Sequence, residues 1–214
     1  KTITNGVYNT TAPTIDYEVT NETTVSFTIT NASQIIVNRP IAYLESELSK
    51  LNAGTYEITI INAEGGYHGS NATGKFTVYR AGSSIKIAPI SEATYGSNTT
   101  IGFTVTNSTD VSWKILNRND TSAIDSGSGL DNISKAYPAG EYTIQITNKE
   151  SINYNASSAQ MNFTVKKAGS LIVIDDIQRV PYGNNVTVKF NVTNATAVTY
   201  AVKTKEGKTI IKNR

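Results

Sequence analysis

The sequence predicts an all-β protein made of tandem antiparallel β-sandwiches, and three observations lead to this fold class. Stretches of the chain recur about 87 residues apart. Within each stretch apolar residues alternate with polar ones, which is the two-residue period of a half-buried strand. The candidate strands are short and are bounded by Asn, Gly and Ser turns, and no long helical pattern is present to connect parallel strands.

The repeat divides the chain into three units. Matching segments lie 86 or 87 residues apart, and joints at Gly82 and Gly169 predict the boundaries 1–82, 83–169 and 170–214. The third is a partial unit, about half as long as the others, so we expect the chain to continue beyond Arg214 or a neighbouring chain to complete it. The matching segments begin at Tyr95 and Tyr182, at Phe76 and Phe163, and at Ala53 and Ala139.

One further match has a different offset. The segment VSFTITNAS, which begins at Val25, resembles the segment around Phe103 and aligns Phe27 with Phe103, 76 residues later. A change of offset from 76 to 86 within one unit implies about ten extra residues in the second unit, between Val111 and Gly140.

The alternation assigns side chains to the core or to water. Apolar residues occupy every second position from Ile101 to Val105, from Tyr142 to Ile146, and again from Val186 to Val192. Thr is frequent at the positions between them, where its branched Cβ suits a pleated surface. The segment 41–51 is an exception, because its leucines have helical spacing after Pro40 and predict one or two helical turns.

A sequence pattern that occurs twice narrows the prediction to immunoglobulin-like sandwiches. The pattern Ala-Gly-x-Tyr-x-Ile resembles a tyrosine corner, in which the hydroxyl groups of Tyr56 and Tyr142 bond back to the backbone at the start of strand F. Ile58 and Ile144 then occupy the slot that a disulfide cysteine fills in antibody domains.

Trp113 lies ten residues after Phe103, on the predicted strand C, and we interpret it as a core anchor. The same register places Tyr200 and Val37 at the matching positions of the other two units. The predicted structural core is Phe27, Tyr56, Phe103, Trp113, Tyr142 and Phe190.

Three phrases of the sequence together resemble a known family. They are YGxNxTxxFxVTN, then AGxYxI, then NYNASxxxxFTVxKA, which stands here at 153–168. The pattern resembles the group-3 bacterial immunoglobulin-like repeats, and more narrowly the tandem repeats of archaeal adhesin-like cell-surface proteins. The first unit departs from it, with Tyr17-Glu18 in place of the Tyr-Gly entry. The resemblance implies an extracellular modular stalk without catalytic residues.

Thirteen sequons for N-linked sugar, Asn-x-Ser/Thr, occur, more than twice the roughly five that 22 Asn and 49 Ser or Thr among 214 residues would form by chance. Residues two positions apart on a strand point to the same face, so an outer face rich in Asn and Thr raises the number of sequons by itself. We expect several of the sequons to carry sugar. They begin at Asn9, Asn21, Asn31, Asn71, Asn98, Asn107, Asn119, Asn132, Asn155, Asn162, Asn185, Asn191 and Asn194.

Composition excludes several classes of function. The chain has no Cys, so disulfides, thiolate metal sites and cysteine nucleophiles are absent, and one His excludes any site that needs two imidazoles. A net charge of only +2 argues against nucleic-acid binding as the main function, because neutralising phosphates needs an extended basic face. No apolar run is long enough to span a membrane. No nucleophile elbow or other catalytic constellation is present, so we expect neither an enzyme nor a cofactor.

Four weaker signals remain. The pair Asp175-Asp176 follows a joint where Ca²⁺ sometimes braces two domains, but a solvated turn explains it as well. His68 lies in a Gly-rich loop and is interpreted as a surface residue. A cluster of positive charge in the last twelve residues suits an acidic cell wall or the protection of strand edges. The fourth is an intramolecular Lys–Asn isopeptide bond, which some surface adhesins contain. It needs a buried lysine, an Asn or Asp and a nearby carboxylic acid, and the sequence does not place these three together.

Three functions are open at the level of sequence, all extracellular and at the cell surface. The first is a structural or adhesive stalk of glycosylated repeats, with neighbouring repeats as partners. The second is a self-assembling subunit of an S-layer or filament, in which an identical subunit completes residues 170–214 by strand addition. The third is a module that binds carbohydrate or a receptor, with cell-wall or host glycans as partners. An anchor in the flanking sequence would support the stalk. The mass of the protein in solution tests self-assembly, and binding to a glycan array tests the carbohydrate-binding module.

Overall fold

The computed structural model describes residues 2–195 and 197–212, and in the first region (residues 2–80) five strands form one sheet in the order β1-β5-β4-β2-β3. Neighbouring strands are antiparallel except β1, which runs parallel to β5. The elements are β1 Gly6–Val7, β2 Val25–Asn31, β3 Gln34–Pro40, a 3₁₀ turn Ile41–Tyr43, α1 Leu44–Leu48, β4 Gly54–Asn62 and β5 Ser70–Tyr79.

The second region (residues 83–167) contains nine strands. One sheet has the order β11-β10-β13-β14-β7, and two strand pairs, β6-β9 and β12-β8, lie on the other side of the core. The strands are β6 Ser84–Ile87, β7 Ala93–Thr94, β8 Asn98–Ile101, β9 Phe103–Thr106, β10 Val111–Asn117, β11 Ala123–Ser128, β12 Ile133–Ala136, β13 Gly140–Asn148 and β14 Ser157–Lys166.

This order of strands is that of an immunoglobulin-like sandwich. Strands β7, β14, β13, β10 and β11 correspond to A′, G, F, C and C′, while β6, β8 with β9, and β12 correspond to A, B and E. The chain passes from β9 to β10 and from β12 to β13, that is, from one sheet to the other, and these crossovers are the Greek-key connections of the fold. The predicted fold class, all-β with immunoglobulin-like antiparallel sandwiches and no disulfide, is confirmed.

The third region (residues 170–212) contains two hairpins, and each repeats a pairing of the second region. The pair β15-β16 has the register of β6-β9 shifted by 87 residues, and β17-β18 has the place of β10-β11, including the irregularity near its end. The strands are β15 Leu171–Ile174, β16 Phe190–Thr193, β17 Ala201–Lys203 and β18 Thr209–Lys212.

Each of the first two regions has its own core. Along β13 the side chains at 142, 144 and 146 are buried and those between them are not, as the alternation predicts. Full burial of such a side chain contributes about 1.5–3 kcal/mol. The first core comprises Val25, Phe27, Ile29, Leu44, Leu48, Leu51, Tyr56, Ile58, Ile60, Phe76 and Val78. The second comprises Ile87, Ala93, Ile101, Phe103, Val111, Ile115, Ile133, Tyr137, Tyr142, Ile144, Ile146, Phe163 and Val165.

The helical turns predicted after Pro40 are confirmed. The 3₁₀ turn and α1 together cover residues 41–48, and Leu44, Leu48 and Leu51 enter the first core. In the second region the equivalent stretch is strand β12, so a short helix closes one core at the place where a strand closes the other.

The alignment of Phe27 with Phe103 was wrong. Strand β2 pairs with β3 and β4 as β10 pairs with β11 and β13, and the partner of Val25 is Asn62 where that of Val111 is Asn148. The offset is therefore 86 from β2 to the end of β4, the second region has no ten-residue insertion, and Phe27, not Val37, matches Trp113. Strands B and C share one alternating pattern that ends in Thr-Asn, so the sequence alone did not separate them.

The third region lacks the predicted contrast between buried and exposed side chains. Val186, Val188 and Phe190 are all exposed, and Phe190 retains 48% of its accessible surface. No second sheet lies over this face in the described residues. Phe190 is thus placed as its alternation predicts, but it is not part of a closed core.

Candidate functional site

The best-defined polar site is the contact between the first and second regions, which we call the joint: the loop 150–155 of the second region and the residues 8, 52–53 and 80–83 that it touches. Asn153 is its centre. Its side-chain oxygen accepts a hydrogen bond from the Ala53 N–H at 2.9 Å, and its side-chain nitrogen donates to Oδ1 of Asn52 at 2.9 Å. One amide group therefore satisfies a donor and an acceptor on the same turn.

Backbone hydrogen bonds add a second layer to the joint. The Ala81 N–H donates to the carbonyl of Asn153, and the Asn155 N–H donates to the carbonyl of Ala81, both at 2.9 Å. The Ser83 hydroxyl donates to the carbonyl of Asn155 at 2.7 Å. The segment between the two sheets is therefore paired with the loop as a strand is paired in a ladder, which leaves little freedom for a hinge.

Two side-chain contacts flank these bonds. Arg80 forms an ion pair with Glu150 at 2.9 Å, and the rings of Tyr8 and Tyr154 meet edge to face with centroids 5.5 Å apart. The ion pair is exposed and contributes at most about 1 kcal/mol, so it orients the joint more than it stabilises it. The aromatic contact contributes about 0.5–1.5 kcal/mol beyond the area that it buries.

The turn that Asn153 contacts is itself built by a tyrosine corner. Tyr56 donates its hydroxyl hydrogen to the carbonyl of Asn52 at 2.9 Å, and Tyr142 donates to the carbonyl of Pro138 at 2.8 Å, which confirms both predicted corners. Burial raises the pKa of both phenols, and in Tyr56 it outweighs a hydrogen bond from Asn31 that lowers the pKa. A Cβ at position 140 would lie 3.0 Å from the Tyr142 hydroxyl, so glycine leaves the corner room that any other residue would take by displacing this hydroxyl.

A buried asparagine fixes the turn that precedes β2 in the first region and β10 in the second, and sequence reasoning missed both. Asn148 is fully buried; its nitrogen donates to the carbonyl of Asn107 at 3.2 Å, and its oxygen accepts from the Thr109 N–H at 2.9 Å. Asn62 makes the same bonds to Asn21 and Thr23. Their common place after an Ile-rich strand was the only signal in the sequence.

This turn gives a structural reason for three of the sequons. Asn21, Asn107 and Asn194 have left-handed backbone angles, with φ of 53°, 55° and 55°, which Asn tolerates better than other non-glycine residues. The side-chain nitrogens of Asn107 and Asn194 each donate to a glycine carbonyl, of Gly82 and Gly169, at 2.7 Å. The nitrogen that would carry a sugar is therefore engaged at these two positions.

The other sequons divide by exposure. Asn31 is half-buried beside Tyr56, and Asn155 is exposed but lies in the joint. Of the rest, Asn71, Asn98, Asn162 and Asn191 are exposed on strands, and Asn9, Asn119, Asn132 and Asn185 are exposed in turns and loops.

Trp113 lies at the edge of the second core and not at its centre. It is half-buried, packs against the cluster that contains Phe103 and Tyr142, and faces Gly127 across the β10-β11 ladder. A Cβ on Gly127 would lie 2.5 Å from the indole ring, so the ring rests directly on the backbone of β11.

One polar cluster links the two sheets of the second region. Asp125 on β11 accepts hydrogen bonds from Lys135 and from the buried Tyr137, both at 3.0 Å. Burial alone would raise the pKa of the Asp125 carboxyl, but these two donors outweigh it and hold the pKa below its ordinary value. Burial, and then the carboxylate, raise the pKa of the Tyr137 hydroxyl well above its ordinary value.

The weaker sequence signals lie on the surface. Asp175, Asp176 and His68 are exposed, and in the described part of the chain no three His, Asp or Glu side chains come together as a metal site. Lys203, Lys205, Lys208 and Lys212 are exposed, and Arg214 lies outside the described residues. Every lysine that the structure describes is exposed, so none is the buried amine of an isopeptide bond. Within residues 2–195 and 197–212, no helix has the length and apolar character to cross a bilayer.

The chain matches no protein-family model and no curated protein. It is similar to the fibronectin(III)-like modules of Clostridium thermocellum CbhA, with 15% identity over 78% of this chain and 94% of that one and a TM-score of 0.31. It is also similar to three N-terminal domains of the bacteriophage RB49 outer capsid protein Hoc, with 14% identity, coverage of 98% and 77%, and a TM-score of 0.34.

A third similar structure comprises the four N-terminal Ig domains of Dscam1 isoform 8.4, with 16% identity and a TM-score of 0.30. The match covers 67% of this chain and 37% of that one. The immunoglobulin-like assignment rests on the strand order described above.

Proposed function

We propose that the chain is part of an extracellular structural or adhesive stalk of a prokaryotic, and specifically archaeal, cell surface. In this proposal residues 1–82, 83–169 and 170–214 are tandem immunoglobulin-like repeats, and the chain has no enzymatic role. The partners are neighbouring repeats, and sugar on the exposed Asn and Thr faces shields the stalk.

The observation that carries this proposal is the joint. A stalk must transmit orientation from one unit to the next, and flexible linkers do not. Here the connection is short, and its backbone and the Asn153 side chain are hydrogen-bonded across it. Such a contact favours a spacer, because it fixes the orientation of the two regions, whereas domains that tumble independently do not need it.

Changing Asn153 to Ala tests the joint. The variant loses two hydrogen bonds while the backbone pairing of Ala81 and the contact between Tyr8 and Tyr154 remain, so we expect the NMR alignment tensors of the two regions to diverge slightly from the common tensor of the unchanged chain. Asn38→Ala, on an exposed strand position of the first region, is the matched control. Divergent tensors already in the unchanged chain would contradict the rigid stalk, whereas equal tensors in the Asn153 variant would mean that the backbone pairing holds the joint without this side chain.

Site-resolved glycan mapping of native material tests the surface part of the proposal. Intact mass above the 23.1 kDa of the polypeptide is expected, with sugar at exposed strand positions such as Asn98 and Asn162. Asn107 is expected to be unoccupied, because its nitrogen is bonded to Gly82. A native mass equal to that of the polypeptide would remove glycosylation from the proposal.

A second candidate, self-assembly into an S-layer or filament, is favoured by one specific observation. The apolar side chains of the third region are exposed on two hairpins whose outer strands have free edges in the described chain. A monomeric state at high protein concentration would speak against assembly of this chain with copies of itself, while leaving the stalk intact.

A further inference from the structure

The third region has strand pairs of the second region but not the strands that close the second core, so the second region shows how these pairs are covered. Ile87, Ile101 and Phe103 are buried in one core with side chains of β12, β13 and β14. Their counterparts 87 residues later are Ile174, Val188 and Phe190, with 61%, 45% and 48% of their surfaces exposed. We call Ile172, Ile174, Val188, Phe190 and Val202 the open face.

A second exposed surface adjoins the open face at the end of the second region. In the joint, Tyr8 and Ala81 contact the loop 150–155. Their counterparts are Tyr95, which is 61% exposed, and Ala168, with Lys167 in the place of Arg80. The correspondence is structural as well as sequential, because the Tyr8 N–H donates to the carbonyl of residue 79 as the Tyr95 N–H donates to that of residue 166. We call Tyr95, Ala139, Lys167 and Ala168 the open joint.

The local geometry between these two surfaces is already that of a completed unit. Asn194 bonds the carbonyl of Gly169 at 2.7 Å, as Asn107 bonds that of Gly82 at 2.7 Å. Asn194 therefore ties Gly169 to the turn before β17 as Asn107 ties Gly82 to the turn before β10. A segment that covered the open face in the manner of β13 and β14 would bring its connecting loop to Tyr95.

We propose that residues 170–212 and the open joint form one composite binding surface for a polypeptide segment of defined chemistry. The segment is an antiparallel hairpin with alternating apolar residues, of the type of β13 and β14, whose connecting loop carries an Asn-Tyr pair and an acidic residue. The apolar side chains cover the open face, the Asn binds the turn at Ala139, the Tyr meets Tyr95, and the acid pairs with Lys167. This inference rests on the tandem arrangement proposed above.

The probe for this proposal is a synthetic peptide with the sequence of residues 137–167, which contains such a hairpin and its loop. It is titrated into the full 214-residue chain by calorimetry, and hydrogen exchange reports the residues that become protected. We expect one peptide per chain, with protection at residues 170–212 and at Tyr95. Phe190→Asp in the chain is expected to abolish binding.

Paired changes separate the specific complex from general adhesion of strands. A peptide with Asn153→Gly and Tyr154→Gly is expected to bind about tenfold more weakly, since it loses hydrogen bonds and a ring contact worth roughly that factor. Tyr95→Ala in the chain is expected to have a similar effect, and Tyr67→Ala, an equally exposed tyrosine elsewhere, none.

Three results would overturn the proposal. They are the absence of binding at millimolar peptide, binding that is insensitive to both the loop and Tyr95, and a dimer of the chain alone that already protects residues 170–212. The last would assign the surface to a second copy. None of them changes the expected behaviour of the Asn153→Ala variant in the chain, so a rigid joint and an open surface can fail separately.

Discussion

The second and third regions have the same strand pairing and opposite burial. Strands β6-β9 and β15-β16 are superimposable in register, yet Phe103 retains 8% of its surface and Phe190 retains 48%. Hairpins of this kind form from neighbouring segments of the chain. Closure of a core requires strands that come from farther along the sequence, and in the described chain only the first and second regions have them.

The largest expected difference is in the effect of truncating the matched phenylalanines. Phe103→Ala should lower the free energy of unfolding of the second region by about 3–5 kcal/mol, because it leaves a cavity in a closed core. Phe190→Ala should lower the free energy of unfolding of the third region by less than about 1 kcal/mol, because only about half of the Phe190 surface is buried. Denaturant unfolding of both variants measures this contrast, and equal losses would show that the third region has a closed core in solution.

The buried amide tests a feature that the second region has and the third lacks. Asn148→Ala should cost about 2–3 kcal/mol, because it leaves the Thr109 N–H and the Asn107 carbonyl without their partner. Asn194→Ala, in the equivalent exposed turn, should cost about 0.5 kcal/mol. Urea denaturation with fixed m-values distinguishes the two; similar small losses would mean that the turn forms without the buried side chain.

The tyrosine corner should have a smaller effect. Tyr142→Phe removes one hydrogen bond to Pro138 and keeps the ring packed, so we expect a loss of about 1 kcal/mol in thermal unfolding of the second region. Tyr56→Phe is the matched change in the first region, and it should also loosen the turn that Asn153 binds. An unchanged melting temperature in both variants would contradict a stabilising role for the corner.

The smallest expected effect is a pH dependence confined to the second region. The pKa of Asp125 is lowered in the folded state, so its contribution is present above the unfolded pKa of about 4 and is lost as the pH falls through the folded value. The pKa of Tyr137 is raised, so its contribution is present below the unfolded value of about 10 and is lost as the pH rises above it.

Tyr137→Phe isolates this pair. The variant should be less stable near pH 7 by about 1 kcal/mol and should lose less stability than the unchanged chain between about pH 10 and 12. Unfolding measured by fluorescence across this range checks the expectation, with the exposed Tyr43→Phe as control. If Tyr137→Phe and the unchanged chain lost stability in parallel as the pH rises, the raised pKa of Tyr137 would not be the cause of the alkaline loss.

Part of the fold was predictable because its signals are local. Alternation along β13, the two tyrosine corners and the helical turns after Pro40 depend on residues within one turn or strand, and all of them are confirmed. The alignment of Val25–Asn31 with the segment around Phe103 failed because the two segments have the same alternation and the same Thr-Asn ending, although one is strand C and the other strand B. Only the partner strand distinguishes them.

The candidate site was less predictable. Asn153 was part of a sequence phrase, but its bonds join residues about a hundred positions apart, and no local pattern reports such a contact. The sequons at Asn107 and Asn194 have the composition of sugar acceptors, and only their positive φ and their bonds to glycine carbonyls show that they build a turn.

By itself, therefore, the order of residues determined the strands, their inward and outward faces, the absence of disulfides and the 87-residue recurrence. The tertiary structure decided which strands pair, which apolar faces are covered, and where the first two regions meet. The physical reason is that an alternating strand is amphipathic wherever it lies. Burial depends on a covering surface, and that surface is supplied by distant residues or, as at residues 170–212, is not present in the described chain.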